Sequence, residues 1–162
     1  MNAPVLTTEE TLDAYEAGVN AAFDRDIRKL SISCPYQEGT PAWQEWMLGL
    51  DHATNNFPLK NRRLRTLRRR LAQEKGQHSE EEWHSLCAEF HFRCIRCGAV
   101  GGALEKDHIT PIYQRGDESI ENIQPLCKHC NTSKGLENMN WVSYRRLYGF
   151  EKPNQTGQLE RV

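Results

Sequence analysis

Between Thr8 and about Arg28, apolar residues recur at spacings of three and four: Leu12, Tyr15, Val19, Ala22 and Phe23. That period predicts an amphipathic helix, with Thr8 as its cap. Pro35 disfavours helix at Cys34, so Cys34-Pro35-Tyr36 reads as a break. Glu38-Gly39-Thr40-Pro41 then opens a second helix carrying Trp43, Trp46, Met47 and Leu50. Residues 1–59 are therefore predicted to form a helical hairpin with packed apolar faces. Leu64, Leu67 and Leu71 carry the helical period through residues 60–77, a basic helix or linker. Beyond Gly76, Ser79 and Glu82 stand three apart as in a capping box and start a helix with Trp83, Leu86, Cys87 and Phe90 on its apolar face. Cys87 is read there as core rather than as a ligand. Trp141, Val142, Tyr144, Leu147 and Tyr148 predict a last helix whose Arg145 and Arg146 either pack on the domain or face a substrate. Residues 151–162 are predicted to be a flexible tail.

Charge changes this picture. The net charge of the 162 residues is −1, but residues 1–59 carry 3 basic and 9 acidic side chains, residues 60–77 carry 8 and 1, and residues 78–162 carry 10 and 12. Positive charge is thus concentrated at Lys60, Arg62, Arg63, Arg65, Arg68, Arg69 and Arg70, where guanidinium forks suit phosphate oxygens. The bland alternative is a solvated linker helix, or a patch that the acidic hairpin covers. No apolar run approaches the ~20 residues of a membrane span, and the N-terminus lacks a signal-like core, so a soluble cytoplasmic protein without a membrane partner is expected. Oligomeric state is left open.

The hairpin segment resembles the ribosome modulation factor family in Tyr15 and Gly18 on the first helix, Cys34-Pro35-Tyr36 at the turn, and Trp46 with Gly49 on the second. The resemblance covers about a third of the chain and implies the hairpin fold and, in that family, contact with ribosomal RNA. Leu50 stands where that family has an aromatic, and the segment is acidic where its members are basic. Phosphate affinity needs positive charge, so a docking or packing module is the reading preferred for it, with RNA or the ribosome as the alternative partner.

Four of the six cysteines form two Cys-x-x-Cys pairs, Cys94 with Cys97 and Cys127 with Cys130, separated by 29 residues. In a reducing compartment this spacing suits one structural zinc ion held by four thiolates. The zinc would clamp both ends of the intervening loop. His129, inside the second pair, is expected to be exposed or to face phosphate, and His52, His78, His84 and His91 to be structural or surface groups.

That loop contains Asp107-His108-Ile109-x-Pro111, then Asn122-Ile123-Gln124-x-Leu126-Cys127, followed by Cys130-Asn131-x-x-Lys134. From about residue 83 to 136 the chain resembles the HNH endonucleases with a zinc-stapled ββα-metal fold. The resemblance implies His108 as general base, Asp107 and Asn131 as ligands of a catalytic Mg2+, Mn2+ or similar divalent ion, and Asn122 as a positioning residue. Chemistry agrees: phosphodiester hydrolysis needs an activated water, a cation against the developing charge, and fixed geometry. Lys134, one helical turn beyond Asn131, is expected to hold a phosphate. Adjacent residues of a strand face opposite ways, so Asp107 and His108 require a strand end or a bulge to serve one centre.

The expected protein is α+β, with a helical hairpin (1–59), a basic helix or linker (60–77), an HNH nuclease domain (78–150) and a tail (151–162). Its expected activity is metal-dependent endonucleolytic hydrolysis of DNA, by nicking or double-strand cleavage. Two rivals stand beside it: a nuclease directed at RNA, and a zinc ribbon that binds a partner without cutting. Zinc ribbons need the cysteines but not Asp107, His108, Asn122 and Asn131 together.

Overall fold

The computed structural model describes residues 5–150, 152–153 and 159–160. The chain divides into two compact units, Met1–Leu71 and Ala72–Val162. No described helix is long and apolar enough to cross a membrane.

In the first unit, α1 (Thr8–Asp26) and α2 (Pro41–Asn55) make the hairpin, joined by the turn around Pro35. The cap of α1 is Thr7 rather than Thr8. Its hydroxyl accepts from the Glu10 amide and the Glu10 carboxylate reaches back to the Thr7 N–H, a reciprocal pair that Thr8, one residue later, has no glutamate placed to complete. Thr40 caps α2, with Pro41 in the first turn. The glycines of the two helices explain how closely they cross. A β-carbon on Gly18 would lie 2.0 Å from the Trp46 carbonyl oxygen, and one on Gly49 would lie 2.2 Å from that of Tyr15. Only hydrogen fits at both positions. Trp46 is turned inward, while Phe23 and Met47, expected on the packed faces, are half and about two-fifths exposed.

The basic segment is helix α3 (Phe57–Lys75). Its Leu64, Leu67 and Leu71 join Leu12 and Tyr15 in the core of the first unit. Two of its arginines are spent on the hairpin's own carboxylates: Arg63 donates to both oxygens of Glu45 at 2.6 and 2.7 Å, and Arg68 donates to Glu16 at 2.8 Å. The hairpin thus covers part of the positive charge, and Arg63 and Arg68 are not displayed for a substrate.

In the second unit, α4 (Glu80–Glu89) starts at the Ser79–Glu82 capping box and buries Leu86 and Cys87. Strands β1 (Leu104–His108) and β2 (Ile123–Cys127) pair antiparallel, with Leu104 opposite Cys127 and His108 opposite Ile123. Helix α5 (Lys128–Lys134) follows β2 directly, and α6 (Trp141–Tyr148) closes the domain. Leu86, Phe90, Cys94, Ile95, Ile123, Leu126 and Val142 form one core, with Trp83 packed against it. So small a core is of the kind that a metal staple supports. Within the expected tail, Lys152–Pro153 (β3) pairs with Leu159–Glu160 (β4), and the other tail residues lie outside the described ones.

Candidate nuclease site and zinc centre

The first knuckle, Cys94 to Cys97, follows α4, and the second begins at the end of β2, so strand pairing and the core bring them together. All four sulfurs lie within 4.8 Å of one another, and Cys97 Sγ is 3.9 Å from Cys127 Sγ. Zinc–thiolate bonds of about 2.3 Å in a tetrahedron put sulfurs about 3.8 Å apart, so the residues fit the ion. Their acidities differ. Burial works against ionisation of Cys94, but the backbone amides around the two knuckles outweigh it and bring the thiol down to about 7. Burial pushes the thiols of Cys97 and Cys130 up. Four thiolates in this space need a cation among them. No other group of three or more His, Cys, Asp or Glu side chains suited to an ion occurs among the described residues.

Arg145 supports the first knuckle from behind. Buried in the second unit, it donates to the carbonyls of Ile95 at 2.7 Å, Arg96 at 2.8 Å and Gly149 at 3.0 Å. It therefore fixes the zinc turn instead of facing a substrate. Arg146 pairs with Glu89. His129 is exposed, as expected.

His108 is the last residue of β1, a strand end without a bulge. Its Nε2 lies 3.1 Å from Oε2 of Glu118, a residue that sequence reasoning did not select. Glu118 is locked at both backbone groups: its N–H donates to the Ala72 carbonyl at 3.2 Å, and its carbonyl accepts from His78 Nδ1 at 2.7 Å. Asn122 braces the same loop. Its Oδ1 accepts from the Thr110 N–H at 2.8 Å, while its Nδ2 donates to the carbonyls of Thr110 at 3.0 Å and Asp117 at 2.8 Å. Gly116 is required there, because a β-carbon would fall 1.8 Å from the Thr110 oxygen.

Asp107 points away from that loop, together with Glu105, onto the face that meets α5. It is buried, and accepts from Gln124 Nε2 at 2.7 Å; Lys134 Nζ is 3.1 Å from its Oδ2. Lys134 also donates to the His108 carbonyl at 2.7 Å, and its side chain is only 1% exposed. The expected phosphate contact of Lys134 is thus replaced by a buried ion pair, because the helix register that makes Asn131 accessible turns the residue one turn later inward. Asn131 Nδ2 donates to Glu105 at 2.8 Å, which leaves Oδ1 with no protein donor among the described residues. Carboxylate and amide oxygens are hard donors of the kind a magnesium-class ion takes, but at Asp107 both oxygens face the Lys134 ammonium, Oδ2 at 3.1 Å and Oδ1 at 3.4 Å, which an ion would share or displace.

A known family matches this segment. Residues 94–137 match the family described as HNH endonuclease. The "SPbeta prophage-derived putative HNH endonuclease YoqL" of Bacillus subtilis (strain 168) is 27% identical over 117 residues, covering 66% of this chain and 46% of that protein. The chain therefore spans less than half the length of this relative. No solved structure matches.

Proposed function

We propose that the HNH domain carried by residues 94–137 makes this chain a metal-dependent endonuclease that hydrolyses phosphodiester bonds in DNA. The observation that carries the reading is the His108–Glu118 pair at the end of β1, held by the loop that Asn122 braces. An ionised Glu118 accepts from Nε2–H and so fixes the tautomer that leaves Nδ1 as the proton acceptor. His108 then takes a proton from the attacking water, and Glu118 faces the positive charge that appears on the ring. Asn122 is a positioning residue that keeps His108 and Glu118 in register.

Asp107 and Asn131 would hold a Mg2+ or Mn2+ ion, which when bound supplies positive charge against the phosphate and leaving oxygens. Lys134 keeps Asp107 in place and balances its charge when no ion is bound. Asp107 stands in β1 beside His108 and Asn131 on the helix α5 that packs against this strand, so hydrolysis would be organised around one short strand end.

The test is incubation of zinc-loaded wild type and His108→Ala with supercoiled plasmid and structured RNA, with Mg2+, with Mn2+ or with EDTA. Metal-dependent nicking or linearisation by wild type, absent in His108→Ala, is the expected result. Cleavage of RNA alone would overturn the DNA assignment, and inactivity on both substrates would return the domain to a zinc module that binds without cutting.

A further inference from the structure

The seven basic residues from Lys60 to Arg70 do not form one undivided patch. Arg63 and Arg68 are neutralised by Glu45 and Glu16, Lys60 lies over the Phe57 ring at 3.9 Å, and Arg70 is engaged within the chain. Arg62, Arg65 and Arg69 remain. All three are exposed, and none has an ion-pair partner among the described residues. Their spacing of three and four places them on one face of α3, opposite Leu64, Leu67 and Leu71 in the core. Thr66 is the other exposed side chain within that stripe, and no carboxylate interrupts it.

We propose that Arg62, Arg65 and Arg69 form a docking surface for the phosphate backbone of duplex DNA, separate from the residues that cut. Three like charges along one face oppose helix formation, and phosphates would relieve that repulsion. At a rise of about 1.5 Å per residue, Arg62 and Arg69 stand roughly 10 Å apart along the helix, a span of about three base pairs at 3.4 Å each. Guanidinium forks on a helix pinned by its leucines are preorganised for phosphate oxygens. A membrane surface suits the face less well, because an interfacial helix needs apolar side chains to insert, and those of α3 beneath this stripe are already buried. Such contacts hold the duplex without reading its sequence. The choice of DNA as the polyanion rests on the proposed nuclease function; the surface itself does not.

Full-length, zinc-loaded protein carrying His108→Ala, so that nothing is cut, is titrated onto a labelled DNA duplex and onto a labelled RNA hairpin by fluorescence anisotropy over a salt series. The same measurement is made with Arg62, Arg65 and Arg69 all changed to Gln, and with all three changed to Lys. The Gln variant is expected to bind about tenfold or more weakly, and to flatten the slope of log Kd against log salt by about 2 to 3, while the Lys variant keeps the slope. Thermal melts matching the parent would show that the exposed substitutions leave the fold intact. An unchanged Kd and slope in the Gln variant would overturn the proposal, as would a loss confined to an RNA hairpin. Cleavage assays fail separately if the nuclease reading is wrong, because this measurement uses no catalysis.

Discussion

Lys134 Nζ sits 3.1 Å from Oδ2 of Asp107 with both side chains almost wholly out of solvent, so the strand residue beside the proposed general base is charge-balanced from the neighbouring helix. Removing one member of such a pair leaves a buried, uncompensated charge. Lys134→Met is therefore expected to lower the stability of the second unit by about 3–5 kcal/mol. Urea unfolding checks this, and the double variant with Asp107→Asn should recover a good part of the loss. If the single variant is as stable as wild type, the ion pair contributes nothing and Lys134 is available for another role.

Glu118→Gln keeps the size of the side chain but removes the negative charge facing His108. Its expected effect is a drop of about 10–100-fold in kcat with little change in KM, by analogy with partners that orient other ligand or base histidines. A changed pH–rate profile should accompany it, since the group opposing the imidazolium is lost. Equal losses in kcat and in thermal stability would instead indicate that Glu118 only holds the loop.

Protons and zinc compete for the knuckle sulfurs. Cys94, at about 7, offers a thiolate near neutral pH, whereas Cys97 and Cys130 are raised and must give up protons when zinc binds. Zinc affinity is expected to rise with pH and to fall as the medium is acidified through about 7, where Cys94 also becomes protonated. Chelator competition across that range measures it. Replacing any one of the four cysteines by Ser should release zinc and unfold the second unit, visible as lost metal content and lost near-UV dichroism.

Tyr15 is fully buried, and burial pushes its phenol up to about 12, with Arg63 opposing and Glu45 reinforcing the shift. The fold therefore favours the neutral phenol. The stability this gives is intact below the ordinary value of about 10 and is lost as pH rises from there through about 12. Tyr15→Phe should remove that alkaline loss and cost about 1 kcal/mol at neutral pH, through the missing 2.9 Å hydrogen bond to His52. Melting curves at neutral and strongly alkaline pH decide both parts.

Features that depend on neighbours along the chain were open to reading from the sequence. Ser79 with Glu82, Thr40 with Pro41, and the paired Cys-x-x-Cys turns are of this kind. Features set by how segments return on one another were not. Glu118 lies 10 positions from His108, and its aim depends on contacts with Ala72 and His78 that no local pattern announces. Lys134 shows the limit of spacing arguments: its distance from Asn131 places it one helical turn along, but whether that position faces solvent depends on what β1 presents to α5. The cap of α1 belongs with the legible features instead, since Glu10 stands three residues after Thr7, the spacing of Ser79 and Glu82, and not after Thr8.

The three side-chain hydrogen bonds of Asn122 make the stretch from Thr110 to Asn122 a closed span of fixed length. The turn from Ala99 to Ala103 is different, for it is exposed and is tied at its start, where the Cys94 amide donates to the Ala99 carbonyl at 2.9 Å and the Gly98 amide to the Cys94 carbonyl at 2.7 Å. Between the same two zinc turns, then, one segment can lengthen and diversify as sequences drift, while the other must conserve its residue count or lose the register of the histidine it serves.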